Sequence, residues 1–103
     1  MINKLGFGFL RLPKKDGELD WHTICSMVDV FMGGGGVFFD TCYTYLDGLS
    51  EAAIHKCVVE RKPRHSFQLC DKLPGYLFKS YEDCQKYFDE ELSRCGVEWF
   101  DIL

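Results

Sequence analysis

Short apolar runs alternate with helix-spaced apolar stretches along this chain, and that alternation restricts its fold more than any other feature. The first run, KLGFGFL (4–10), is punctuated by glycines that suit a strand with close backbone approach. After a turn at Asp16-Gly17, Trp21, Ile24, Cys25, Val28, Phe31 and Met32 recur at helical spacing behind Asp20, a capping residue. Glycines 33–36 stop that helix, one of them suiting the left-handed position after its last turn. They lack the lysine and the following helix of a phosphate-binding loop. VFFD (37–40) is a buried strand, and Ser50 opens a second helix with Ala53, Ile54, Cys57 and Val58 on one face. Pro63 cannot continue that helix. SFQLCDK (66–72) is a third strand, with Leu73-Pro74-Gly75 as its exit. Ser80 and Asp83 resemble a capping box before a third helix striped by Cys84, Phe88, Leu92 and Cys95 and stopped by Gly96. WFDIL (99–103) begins a fourth strand.

This order predicts an α/β chain of about four parallel strands and three helices, joined by right-handed crossovers. An open doubly wound sheet and a (β/α)₈ barrel both begin this way, and periodicity does not choose between them. With 103 residues the chain is one domain at most.

A net charge of −4 gives no electrostatic reason to expect nucleic acid, whose phosphates require a basic face. Lys14-Lys15 and ERKPRH (60–65) are short and read as solvated loops. No stretch is long and apolar enough to span a bilayer, and Met1–Leu10 lacks the pattern of a secretory signal. Six cysteines, at 25, 42, 57, 70, 84 and 95, contain no C-x-x-C, and four of them fall on apolar helix faces. They read as buried free thiols in a cytoplasmic protein, with no metal site implied by their spacing.

In either architecture, chemistry gathers at the C-terminal ends of the parallel strands. Asp40 ends the second strand, Lys72 ends the third, and Tyr45 stands in the loop between. Singly these are a turn residue, a solvated strand end and an amphipathic rim aromatic. On successive strand ends together, they make an acid, a cation and a phenol that can meet.

Over nearly its whole length the sequence resembles the aldo-keto reductases. LGFGFLRLP (5–13) is similar to the family's opening strand and loop. FDTCYTYLDGLSE (39–51) resembles its Asp-x-x-x-x-Tyr segment, DKLP (71–74) its lysine-bearing strand end, and CGVEWFDIL (95–103) its run into the fourth strand. The resemblance implies the N-terminal half of a (β/α)₈ barrel over 1–103, ending after the fourth strand. It implies reduction of a small aldehyde or ketone with NADPH, with Tyr45 as proton donor, Lys72 as the cation beside it and Asp40 as the lysine's partner. Gly8, Phe9, Leu10 and Asp40 would lie against the cofactor, although Phe9 stands where a small or hydroxyl residue is common. The family's fourth catalytic member, a histidine, would lie beyond Leu103, as would its grip on the adenosine phosphate. His22, His55 and His65 fall in the wrong elements to replace it. The chain taken alone is therefore expected to be inactive.

The residue types suit the reaction independently. Hydride delivered to a carbonyl carbon leaves charge on oxygen, to be met by a proton or a fixed dipole. A phenol alone is a reluctant proton donor near neutrality, and a lysine cation stabilises the charge left on it. Two other readings compete. A half-barrel could self-associate through its exposed strand edges as an interaction module without catalysis. An open nucleotide-binding sheet would need a G-x-G-x-x-G turn, and GFGFLR (6–11) lacks the third glycine.

Overall fold

A computed structural model describes residues 5–103. Lys4, the head of the first predicted strand, lies outside them. Strand β1 (Gly6–Gly8) leads to a hairpin of β2 (Lys14–Lys15) and β3 (Glu18–Leu19), followed by helix α1 (Trp21–Gly33). Strand β4 (Phe38–Asp40), helix α2 (Leu49–Ile54), strand β5 (Gln68–Cys70) and helix α3 (Tyr81–Cys95) complete the order. The Asp16-Gly17 turn is a hairpin because both residues take positive φ, 54° and 82°, the twist that lets two short strands pair.

Strands β1, β4 and β5 form a parallel sheet in the order β1-β4-β5. Gly8, Asp40 and Cys70 stand side by side at its C-terminal end. The predicted fourth strand is reduced to a single parallel bridge, Cys70 with Ile102. Three backbone bonds tie it on: Asp71 N–H to the Ile102 carbonyl at 3.1 Å, and the Asp101 and Ile102 N–H groups to the Leu69 carbonyl at 3.0 and 3.2 Å. Asp101 spends its carboxylate on the Leu69 N–H (2.8 Å) and Arg64 (2.8 Å), anchoring the segment by its side chain.

The sheet has one covered face and one open face. Phe7, Phe39 and Leu69 occupy one side by strand alternation, and Phe9 continues it; Phe9, Phe39 and Leu69 are fully buried. Phe31 of α1 meets Phe39 edge-on at 5.3 Å and Phe7 at 5.5 Å. Ile24 and Val28 of α1, with Ile54, Cys57 and Val58 of the second helical stretch, complete this core. On the other side, Gly6, Gly8 and Gln68 are exposed, and Phe38, Asp40 and Cys70 are partly so. Gly6 is required there, since an added Cβ would come within 2.9 Å of the Phe38 ring.

Local signals mostly act as read. Asp20 caps α1 by accepting from the Thr23 N–H at 3.1 Å and its hydroxyl at 2.7 Å. Gly35 takes φ 95° past the end of α1, and Gly96 takes φ 72° at the end of α3. The capping box at α3 does not close: Ser80 makes no side-chain cap bond, and Asp83 accepts from Lys79 N–H at 2.7 Å instead. Helix α2 continues as a π-helical turn over His55–Val59. The expectation of free thiols throughout is corrected at Cys25 and Cys57. These two form a disulfide, because the apolar faces of α1 and the second helical stretch bring their Cα atoms to 4.8 Å. Cys42, Cys70, Cys84 and Cys95 are free.

Candidate active site

The parallel ladder runs on past the strands and carries the site residues with it. Phe9 N–H donates to the Asp40 carbonyl at 2.8 Å, Thr41 N–H to that of Cys70 at 3.0 Å, and Tyr43 N–H to that of Lys72 at 3.4 Å. Asp40 and Lys72 thus leave adjacent strand ends on the open side. The Lys72 ammonium donates to Asp40 Oδ1 at 2.7 Å and to the Thr41 carbonyl at 2.9 Å. It sits 5.0 Å from the centre of the Tyr45 ring, within range of the ring's negative face.

Burial works to lower the Lys72 ammonium, but the hydrogen bond and charge of Asp40, then the Tyr45 phenol, outweigh it and raise it above the ordinary lysine value. The lysine is therefore held charged. Its side chain is 43% exposed and that of Asp40 30%, so the pair adds at most about 1 kcal/mol to stability. Its value is positional: two acceptors fix where the cation points.

Tyr45 begins a tight turn, Tyr45–Gly48, in which three successive residues take positive φ: Leu46 (53°), Asp47 (54°) and Gly48 (91°). Glycine tolerates this; leucine and aspartate in the left-handed region each cost about 1–2 kcal/mol. The turn returns the chain to α2 while leaving the Tyr45 ring beside Lys72.

A buried hydroxyl relay holds the three elements in place. Ser50 donates to the Phe9 carbonyl at 2.6 Å, and Thr41 lies 2.6 Å from the same Ser50 oxygen. Ser50 has one hydrogen to give, so Thr41 is the donor in the second bond. The exit of β1, the exit of β4 and the first turn of α2 are pinned at one point.

The structure brings Asp40, Lys72 and Tyr45 together. Gly8 neighbours Asp40 in the ladder, with open space where a Cβ would stand, and Leu10 is exposed beyond it. Phe9 is placed differently: its ring is fully buried, 5.1 Å from Phe7 and 5.8 Å from Phe39, so only its backbone borders the site.

Several polar residues behind the site escaped the sequence reading. Arg94 lies over the Tyr43 ring at 4.3 Å and pairs with Glu51 at 3.2 Å and Glu90 at 2.9 Å. Tyr43 donates to Glu90 at 2.9 Å; burial first, then that bond, raises its phenol above the ordinary value. Glu51, Asp71 and Glu91 are fully buried. Burial, then the neighbouring Asp71 carboxylate, pushes Glu51 well above the ordinary carboxyl range, against the pull of Arg94; the same two causes raise Glu91. A signal for Glu91 was present, since it lies three residues after Phe88 and four before Cys95, on the buried stripe.

No helix among the described residues is long and apolar enough to cross a membrane. Among curated proteins none matches the chain. The sequence model of one family, described as the Aldo/keto reductase family, matches residues 4–103.

Proposed function

The chain belongs to the aldo/keto reductase family, and from that premise we propose that it is half of a (β/α)₈ barrel that reduces small aldehydes or ketones with NADPH. Family membership by itself makes it an oxidoreductase by resemblance. The observation that carries it is the Lys72 ammonium fixed between Asp40 and the Thr41 carbonyl beside the Tyr45 ring. The half-barrel reading is supported by a parallel sheet covered on one face only. A doubly wound sheet carries helices on both faces, whereas a barrel strand faces helices outside and other strands within.

NADPH, when bound, supplies the hydride. The residues present fit its nicotinamide end: Gly8 leaves room at the strand end, next to Asp40 and the exposed Leu10. Tyr45 gives its phenolic proton to the carbonyl oxygen as negative charge develops there. Lys72 stabilises the phenolate left behind, and Asp40 keeps Lys72 aimed. Phe9 contributes backbone alone. The 103-residue chain by itself is proposed to be inactive, because Lys72 and the Gly8–Asp40–Cys70 row open onto solvent and water is not excluded. A cytoplasmic setting is proposed on the four free thiols, although a disulfide such as Cys25–Cys57 is uncommon in that compartment. The open sheet face and the outer edge of β1 are proposed to draw a partner, a second barrel half or a second copy.

The test compares two proteins: the 103-residue chain and an intact barrel carrying this sequence as its first half. NADPH oxidation by a simple aldehyde is expected from the second and not the first. Turnover by the chain alone would remove the inactivity claim, and an intact, folded barrel without turnover would remove the activity.

A further inference from the structure

We propose that Asp71, Glu51 and Cys95 form a buried zinc site behind the strand end that carries Lys72. Single ligand atoms from Glu51, Asp71 and Cys95 lie within 4.8 Å of one another, and all three residues are fully buried. The Cys95 sulfur is already 3.7 Å from Asp71 Oδ2. In a tetrahedral zinc site, with bonds of about 2.0 Å to oxygen and 2.3 Å to sulfur, donor atoms stand roughly 3.3–3.8 Å apart. One edge therefore has its final length, and the other two, no longer than 4.8 Å, need to contract by at most roughly 1.5 Å.

A second observation points to a ligand. Both oxygens of Glu91 and Oε2 of Glu51 are buried without a hydrogen-bond partner. Of the three buried acids only Glu51 reaches a guanidinium, that of Arg94, which is shared with half-buried Glu90. A buried carboxyl oxygen short of a partner is costly, and a metal ion would supply one for the free oxygen of Glu51.

The donor set selects the ion. A sulfur ligand among carboxylates disfavours calcium and magnesium, which take oxygen, and suits zinc. Binding would release the Cys95 thiol proton to solvent as the thiolate forms. The fourth position of a tetrahedral zinc would be left to water. Asp71 Oδ1 also accepts from the Lys72 N–H at 2.8 Å, so the ion would brace the backbone of the residue that presents the ammonium.

The test uses the 103-residue chain with Cys42, Cys70 and Cys84 replaced by serine, purified metal-free and without reductant. Cobalt(II) serves as the spectroscopic probe for zinc. The expected result is one cobalt per chain, with a sulfur-to-cobalt charge-transfer band that zinc abolishes by displacement. Cys95→Ser should remove the band, and Asp71→Asn should weaken binding by at least about 10-fold, since even residues that only orient ligands cost that much. Absence of the band from the Cys95-containing protein overturns the proposal, whether that protein is folded or remains unfolded with the metal. A band that survives Cys95→Ser, or binding unchanged in a folded Asp71→Asn variant, overturns it as well.

Discussion

Ser50→Ala removes one oxygen atom from the point where β1, β4 and α2 are pinned. In the intact protein that oxygen donates to the Phe9 carbonyl and accepts from Thr41, both at 2.6 Å, with all three residues fully buried. The variant leaves a buried carbonyl without this donor and a buried hydroxyl without its acceptor. Each orphaned group costs about 1–3 kcal/mol, a ceiling of about 6. The Thr41 hydroxyl can rotate and recover part of its share, which sets the expected loss at about 2–4 kcal/mol. Against the roughly 5–15 kcal/mol typical of a small domain, this is a large fraction. Urea unfolding followed by circular dichroism should show the midpoint moving down with the slope unchanged. Thr41→Val should cost less, about 1 kcal/mol, because the Ser50–Phe9 bond survives it. The double variant should fall short of the sum, since the two changes share one bond. A Ser50→Ala loss below about 0.5 kcal/mol would refute the relay as a structural element.

Two further outcomes are expected. Burial tends to raise the Asp101 carboxyl, but the Leu69 N–H and the Arg64 guanidinium outweigh it and hold it below the ordinary range. A depressed carboxyl contributes stability above its unfolded value of about 4 and loses that contribution as pH falls through the folded value. Asp101→Asn should therefore destabilise at neutral pH and progressively less below about pH 4; a cost independent of pH would contradict this. Sedimentation equilibrium of the 103-residue chain should show association rising with concentration through the open sheet face, and a folded monomer across the micromolar range would count against it.

The element order was legible because each βα unit carries its own punctuation: Asp20 before α1, the glycines after it, Pro63 after the second helical stretch and Gly96 after α3. Asp40, Tyr45 and Lys72 could be singled out because strand ends can be counted, and their meeting follows from parallel register. The Phe9 ring could not be placed, since strand alternation puts it on the helix side only once the register with Phe39 is known. The Ser80–Asp83 pair misled because a four-residue pattern does not fix which N–H a carboxylate will reach. WFDIL reads as the beginning of a fourth strand, and it pairs in parallel with β5 through one bridge, while Asp101 also bonds Arg64 and the Leu69 N–H through its side chain. Cys25–Cys57 and the Glu51–Asp71–Cys95 cluster depend on how the elements face one another, which spacing along one chain does not encode.

The proposed roles of Tyr45 and Lys72 are tested most directly by their coupling in the rate of carbonyl reduction, measured in an intact barrel that carries this sequence as its first half. Tyr45→Phe keeps the ring beside Lys72 and removes only the proton, so the rate should fall by about 10²–10⁴ with little change in NADPH affinity. Lys72→Met should cost a comparable factor. If both act in one proton-transfer unit, the double variant should be hardly slower than either single one. A Tyr45→Phe enzyme within a few fold of the parent, or two losses that multiply in full, would contradict the account.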